Sequence, residues 1–283
     1  MTDTMYNPED EPYVNHFTGN DLVFEHIERF WCPTITSDQI LKEETEPFRF
    51  PGDDRKQIVI IMGEREYETA DTLPKFALEE LGKDFKISLV YADVEEKGKF
   101  PGLEVVQDAD VVLISVRRRN LSTEQLDLIR NHIKEGKPLV GIRTASHAFH
   151  QNKEGTLAEG LDEWRDFDPM VLGGNYHGHL GADITTFAEV VKGEAEHPVL
   201  KGVGARRFQT FGSLYEVKPL VDSTTVLIEG SAQGVKESEP VAWTNKGPGG
   251  GKVFYTSLGH PYDFNITDFR TLLRNAIYWS VDE

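Results

Sequence analysis

Continuous apolar runs of strand length alternate with amphipathic segments from about residue 57. The runs cover residues 58–62, 86–91, 111–116 and 138–142. Between them, residues 72–81 and 122–134 carry apolar side chains at helical spacing. Strands that are apolar on both faces are typical of parallel sheets that are covered by helices. The pattern therefore predicts an α/β fold with a mostly parallel sheet flanked by helices.

The second half of the chain has a different pattern, in which short strands are separated by glycine turns. The strands predicted there are 185–191, 208–217, 225–229 and 241–244. Residues 252–257 then return to a buried strand, and 266–280 form a final amphipathic helix. We therefore expect an added antiparallel β section, followed by the last strand and helix of the α/β fold.

Residues 1–56 are acidic and lack sustained periodicity. They are predicted to be an N-terminal extension that precedes a single domain over residues 57–283. Such an extension could reach another copy of the chain, so a homo-oligomer is compatible with the sequence.

The formal net charge of −18 excludes whole classes of partner. Nucleic-acid binding needs an excess of Lys and Arg, and anionic membrane surfaces attract basic segments. No stretch approaches the roughly 20 apolar residues of a membrane span, and the N-terminus has no signal pattern. The only cysteine, Cys32, leaves no intrachain disulfide. We expect a cytoplasmic protein whose partner is a small molecule.

Residues 138–150 form the turn on which the candidate chemistry depends. A short apolar strand leads directly into small and polar residues that could open a helix. At such an elbow the first side chain after the strand is placed at the carboxyl edge of the sheet, where α/β folds bind ligands. Arg143 has that position. Glu66 and Tyr67 follow the first strand, and Arg117 follows the third. We therefore expect these side chains to lie at the same edge of the sheet as Arg143.

Three histidines are also expected to lie at this edge. His260 is placed between a buried strand and a proline, which fixes its position. His147 comes four residues after Arg143 and shares its face if the elbow opens an α-helix. His179 lies with Tyr176 in the glycine-rich segment 151–182, whose length and composition favour a functional loop.

Four motifs together resemble the trehalose-utilisation, or ThuA-like, family over residues 57–280. They are Gly-Lys-Val-Phe-Tyr-Thr-Ser-Leu-Gly-His at 251–260, Val-Gly-Ile-Arg-Thr-Ala-Ser-His-Ala-Phe at 140–149, Glu-His-Pro-Val-Leu-Lys-Gly-Val at 196–203 and Val-Ala-Trp at 241–243. The resemblance implies a fold similar to class I glutamine amidotransferases, which is a flavodoxin-like sheet with an added antiparallel section. It also implies a role in carbohydrate metabolism, on trehalose, similar glycosides and their keto forms.

The sequence departs from both groups at the elbow. The amidotransferases carry a cysteine nucleophile there and a later His-x-Glu motif, whereas this chain has Arg143 and, two residues after His260, Tyr262. A guanidinium cannot form a thioester, so glutamine hydrolysis by this route is excluded. ThuA-like proteins often have histidine at the elbow and Gly-Gly-His after the first strand. Residues 63–67 here read Gly-Glu-Arg-Glu-Tyr, which argues against a metal site built from those positions.

The leading hypothesis is an enzyme that acts on a sugar or keto-glycoside by acid/base chemistry. His260 or Glu66 would take a proton next to a carbonyl, while Arg143 stabilises the oxyanion. The residues predicted to contact the substrate are His147, His179, Tyr67, Arg117, Tyr176 and Trp243.

Two alternatives stay open. The first is a non-catalytic sugar-binding module that uses aromatic rings such as Tyr176 and Trp243 for stacking. The second is a metal-dependent glycoside hydrolase with zinc on His147, His179 and His260. No other cofactor is predicted.

Overall fold

A mixed sheet forms the centre of the protein in the computed structural model. The structure describes residues 53–151, 157–181, 184–204 and 206–282. The predicted extension therefore lies outside the described residues, apart from 53–56. The strands of the described residues are β1 (Lys56–Gly63), β2 (Phe85–Tyr91), β3 (Val111–Val116), β4 (Leu121–Ser122), β5 (Leu139–Ile142), β6 (Leu161–Asp162), β7 (Gly178–His179), β8 (Thr186–Val190), β9 (Phe208–Thr210), β10 (Tyr215–Glu216), β11 (Thr225–Ala232), β12 (Ser238–Lys246) and β13 (Lys252–Thr256).

Nine of these strands are joined in the order β2-β1-β3-β5-β13-β12-β11-β8-β9 within the described residues. The first five are parallel to one another, and their order is that of flavodoxin-like folds. From β12 to β9 each strand is antiparallel to its neighbour. The predicted fold class is confirmed. Because β1, β3, β5 and β13 are parallel, the loops that follow them meet at one edge.

Helices cover both faces of the parallel strands. In β1, Ile58 and Ile60 belong to one buried cluster and Val59 and Ile61 to the other, because successive side chains of a strand point to opposite faces. Each such side chain contributes about 1.5–3 kcal/mol when fully buried. The helices are α1 (Thr69–Glu80), α2 (Thr123–Lys134) and α3 (Thr267–Val281). The first cluster includes side chains of α1 and α3, and the second includes side chains of α2.

Two elements differ from the sequence-based expectation. The elbow after β5 opens a short 3₁₀ helix, Arg143–His147, instead of an α-helix. With three residues per turn, His147 does not share the face of Arg143 in the predicted way. The predicted strand 208–217 is interrupted between β9 and β10, where Gly212 has a φ of 81°. The interruption brings residues 211–214 towards the elbow.

The helices of the described residues are all too short or too polar to cross a bilayer.

Candidate functional site

Three loops at the carboxyl edge of the parallel strands contain strained backbone. In the described part of the chain, the non-glycine residues with positive φ are Glu68 (51°) after β1, Arg118 (51°) after β3 and Arg143 (48°) after β5. Such conformations cost on the order of 1–3 kcal/mol each and persist where the surrounding structure enforces them, often at functional sites. Their coincidence at one edge marks that edge as the candidate site.

The Arg143 guanidinium lies at the centre of this edge, and the residue is only 1% exposed. Its Nη1 donates to the carbonyl oxygens of Ser257 and Ser213, at 2.5 and 3.2 Å. Its Nη2 donates to the hydroxyl groups of Tyr67 and Ser213, each at 3.3 Å. The rings of Tyr67 and Tyr215 lie 4.4 and 4.5 Å from its Cζ. One side chain thus holds together the segments that follow β1, β5 and β13 and precede β10.

Among the described residues, no carboxylate lies within ion-pair distance of Arg143. Arg143 Nε is buried without a hydrogen bond in this part of the chain. Burial alone would lower the pKa of Arg143, but Tyr215, Tyr67 and the buried carboxyl of Asp263 together outweigh that effect, and the pKa is raised. The group stays charged. Gly212 allows the close packing, since a Cβ at this position would lie 2.6 Å from Nη2.

Glu64, which the sequence analysis did not single out, fixes the loop between β1 and α1. Its Oε2 accepts from the backbone N–H groups of Glu66 and Tyr67, both at 2.7 Å. Its Oε1 accepts from the N–H and the hydroxyl of Thr69, at 2.8 and 2.5 Å. A buried carboxylate with several such donors is well satisfied and rigid. An acidic residue in the loop that leads into a helix was the available signal.

Tyr67 faces two of the predicted residues. Its hydroxyl oxygen accepts from Arg143, so its own hydrogen is left to donate to a ligand. The His260 ring lies 6.2 Å away, edge-on to the Tyr67 ring. Tyr67 therefore connects the guanidinium with the imidazole, as expected from the convergence of the loops after β1, β5 and β13.

An aromatic layer lies beside Arg143. His147 stacks on Tyr176 with ring centroids 4.4 Å apart, and Tyr176 lies 4.7 Å from Tyr215. The Tyr176 hydroxyl and Nδ1 of His179 are 3.3 Å apart, and His179 pairs with Tyr215 across β7 and β10. The predicted residues His147, Tyr176 and His179 are thus brought together, and Tyr215 is a member that the sequence analysis missed.

His147 is a neutral side chain. It is 2% exposed, and its Nδ1 lies 3.1 Å from the hydroxyl of Ser146. Burial, followed by the charges of Arg118 and Arg117, lowers its pKa to about 2. It cannot carry a proton between groups at neutral pH. Its ring stacks against that of Tyr176.

His260 is half-buried, and its Nδ1 accepts the N–H of Tyr262 at 3.3 Å, as an N-terminal cap of the 3₁₀ helix Pro261–Asn265. His197 caps the helix Pro198–Leu200 in the same way. Burial lowers the pKa of His260, although Asp263 opposes the change. Since Nδ1 accepts a hydrogen bond, the neutral ring carries its hydrogen on Nε2. His260 is thereby set up as a donor.

Glu66 and Arg117 form an ion pair at the outer side of the site. Arg117 Nε and Glu66 Oε2 are 2.7 Å apart, and the two side chains are 40% and 48% exposed. Such an exposed pair contributes little stability, so the carboxylate is available to a ligand at low cost.

Comparisons with known proteins agree with this fold. Residues 57–280 match the ThuA family model, which is described as trehalose utilisation. The chain belongs to the ThuA family. No curated protein matches the sequence significantly.

Two solved structures are similar to this ThuA protein. A putative ThuA-like protein from Bacteroides uniformis is 20% identical with a TM-score of 0.60, over 84% of this chain and 96% of that one. A putative ThuA-like protein from Parabacteroides merdae is 16% identical with a TM-score of 0.57, over 80% and 90% of the two chains. At this identity they show the fold alone.

Trp243 does not line the site of this ThuA protein. It is 0% exposed, its Nε1 donates to the carbonyl oxygen of Leu172 at 2.7 Å, and its ring packs 4.5 Å from Tyr255. The predicted stacking of a sugar on Trp243 needs an accessible ring face, so this expectation is corrected. Trp243 lies in the middle of β12 and fills the core beneath the site.

The zinc hypothesis required His147, His179 and His260 to share one ion. Within the described ranges, no three His, Cys, Asp or Glu side chains are placed to hold a metal. Tyr176 is stacked against His147 and Tyr67 adjoins His260, so aromatic rings occupy the neighbourhood of these imidazoles.

Asp168, which was not predicted from the sequence, fixes the backbone of Tyr176 in the aromatic layer. Its Oδ2 accepts the backbone N–H of Tyr176 at 2.7 Å, whereas its buried Oδ1 has no partner in the described residues. Burial raises its pKa to about 7. Asp168 begins a π-helical turn, Asp168–Leu172, a conformation that is frequent at functional sites.

The buried carboxyl of Asp168 should make stability depend on pH. Because its folded pKa is raised, its contribution to stability is complete below the usual value near 4 and is lost as pH rises through about 7. Asp168→Asn keeps an acceptor for Tyr176 and removes the charge. The difference between the unfolding free energies of Asp168→Asn and wild type should shift in favour of the variant from pH 4 to pH 8, by on the order of 4 kcal/mol. Urea denaturation at both pH values measures this change. Asp166→Asn, an exposed neighbour, is the control; an equal Asp168→Asn effect at both pH values would contradict the assignment.

The neutral state of His147 is open to direct test. Ring ¹⁵N chemical shifts should stay constant for His147 from pH 4 to 8, because burial and the neighbouring arginines exclude the proton. His147→Gln identifies the signal, and the exposed ring of His177 provides the comparison in the same sample. A titration midpoint above pH 5 would show that the ring is accessible and charged.

Proposed function

We propose that this ThuA-family protein is an enzyme that acts on a keto sugar or keto-glycoside, by removing a proton from the carbon next to the carbonyl. The proposal rests on the position of the Tyr67 hydroxyl, which accepts a hydrogen bond from the buried Arg143 guanidinium. Tyr67 follows Glu66 in a loop whose backbone N–H groups donate to Glu64. The family, described as trehalose utilisation, supports a sugar as the substrate.

Glu66 is the base in this proposal. Its side chain is 48% exposed, and Arg117 is its partner among the described ion pairs. His260 was the alternative base, but Nδ1 of its neutral ring already accepts the Tyr262 N–H. A base must present an unshared electron pair to the substrate, which favours Glu66.

Two hydrogen-bond donors stabilise the negative charge that develops on the carbonyl oxygen. When Glu66 takes the proton, the C–H electrons form a carbon–carbon double bond and the carbonyl electrons move to oxygen. Tyr67 O–H and His260 Nε2–H then donate to this oxyanion. Arg143 acts through Tyr67, because a hydroxyl that accepts from a cation is a stronger donor.

The enolate has two productive outcomes. Return of the proton to the former carbonyl carbon isomerises the sugar, when the hydroxyl on the deprotonated carbon gives its own proton to the former carbonyl oxygen and becomes the new carbonyl. Where a glycosidic oxygen is attached to the carbon beyond the deprotonated one, re-formation of the carbonyl breaks the bond to that oxygen and leaves a double bond between the two carbons. The departing oxygen takes up the proton held by Glu66. Both outcomes begin with the same proton abstraction, so this first step is the one to measure.

Exchange of that proton with D₂O, followed by NMR on a panel of keto-glycosides, tests the base. Glu66→Gln should slow exchange by about 10²- to 10⁴-fold, because the amide cannot accept the proton, while affinity for the sugar changes little. Glu104→Gln, at an exposed glutamate on the segment before β3, should leave exchange unchanged.

Unaltered exchange in Glu66→Gln would remove Glu66 from the mechanism. Sugar binding by wild type without exchange or product would instead establish the non-catalytic binding module.

A further inference from the structure

Three aromatic side chains, Phe211, His260 and Tyr262, form a cluster next to Tyr67. The ring centroids of Phe211 and Tyr262 lie 5.4 Å apart, and the His260 ring lies 6.1 Å from Phe211 and 5.2 Å from Tyr262. On its other side, the His260 ring lies 6.2 Å from that of Tyr67. This three-ring cluster is therefore continuous with the candidate site, because the imidazole belongs to both.

The cluster is accessible from solvent. Tyr262 is 60% exposed, and Phe211 and His260 are half-buried. Single exposed apolar side chains are common on protein surfaces, whereas exposed apolar groups that contact one another at the edge of a site are typical of ligand binding. The proposed proton abstraction uses neither Phe211 nor Tyr262, so their exposed rings are left for another role.

A buried carboxyl group fixes the backbone of the cluster. Asp263 is 0% exposed, and its Oδ1 accepts the backbone N–H of Phe211 at 2.9 Å. Its Oδ2 accepts the N–H groups of Gly259 and His260, at 2.9 and 3.0 Å. Asp263 thus joins the segment between β9 and β10 to the loop after β13. Because the rings stand on a fixed backbone, a ligand that packs against them orders little of the protein on binding.

The size and position of the cluster favour one sugar ring as its occupant. Stable protein partners need about 800 Å² on each side, whereas an aromatic side chain provides about 150–250 Å² even when it is covered completely. Three partly exposed rings therefore fit a small molecule better. The C–H groups on the face of a sugar ring pack well against aromatic rings, and small-molecule sites are commonly lined in this way.

We propose that the three-ring cluster is a binding subsite for a second sugar ring of the substrate, the ring that lies beyond the glycosidic oxygen. The subsite rests on the proposed function and narrows it, because a substrate with a second ring is a disaccharide or similar glycoside and not a free keto sugar. Tyr262 packs against a face of the second ring, while His260 lies between the two halves of the substrate. The bond-breaking outcome of the enolate is then the one that this protein uses.

Titration calorimetry with the full chain tests the subsite. The probes are methyl α-glucoside and trehalose, two α-glucosides that differ in the group beyond the glycosidic oxygen, which is a methyl group in the first and a second glucose in the other. Both lack the keto group and therefore bind without reacting. We expect trehalose to bind about tenfold more tightly, because only its second ring reaches the cluster.

Tyr262→Ala should weaken trehalose binding by about five- to tenfold and leave methyl α-glucoside unaffected, because only the surface for the second ring is lost. Tyr262→Phe keeps the ring and should retain the preference. The backbone N–H that donates to His260 is present in both variants. Leu78→Ala, which removes an exposed apolar side chain on α1, is the matched control and should bind both probes like wild type. Circular dichroism melting verifies that each variant is folded.

Equal affinity of wild type for the two probes would overturn the inference, and so would binding of neither probe. A preference for trehalose that persists in Tyr262→Ala would also overturn it. Analytical ultracentrifugation examines the other occupant: a dimer that is lost in Tyr262→Ala would show that the cluster contacts a second copy of the chain, and would contradict the subsite.

The proposed function is judged by a separate measurement, the exchange of keto-glycosides with D₂O. If exchange proceeds while trehalose has no advantage, the inference fails and the proposed function stands. If wild type binds trehalose through Tyr262 but exchanges no keto-glycoside, the subsite stands and the proposed function fails.

Discussion

The site depends on one buried cation. Arg143 stands at the end of β5 with a positive φ, and its guanidinium is enclosed by the rings of Tyr67 and Tyr215. Carbonyl oxygens of Ser213 and Ser257 accept from it, so segments 70 and 114 residues away in sequence are fixed to the elbow. Breaking such a set leaves polar groups unsatisfied in a dry environment, which is why the arrangement is rigid.

Two buried carboxyl groups accept hydrogen bonds from the loops around Arg143 and fix them. Glu64 accepts two hydrogen bonds from the loop before α1 and two from Thr69, the first residue of α1, and so fixes Tyr67. Asp168 accepts from Tyr176, which covers His147. Neither carboxylate needs to meet a ligand. Their role is to place a hydroxyl and a ring against a guanidinium, and such prior placement is what makes a polar site effective in catalysis or binding.

Much of the fold and part of the site follow from the sequence. The apolar runs predicted β1, β2, β3 and β5 within one or two residues, because buried parallel strands have few other patterns. The edge position of Arg143 followed from strand direction. Tyr215 and Asp168 did not, because their roles depend on contacts that only the folded chain creates. Trp243 was misassigned since the sequence does not distinguish a core ring from an accessible one.

The most direct test of the account is hydrogen–deuterium exchange, by mass spectrometry, of wild type and Arg143→Met. Methionine has similar length but provides neither charge nor donors. Exchange should become faster in residues 64–68 and 211–214, while β1, β3 and β5 keep their protection. Unchanged protection of both loops would show that they are held without the guanidinium, and would contradict the central role of Arg143.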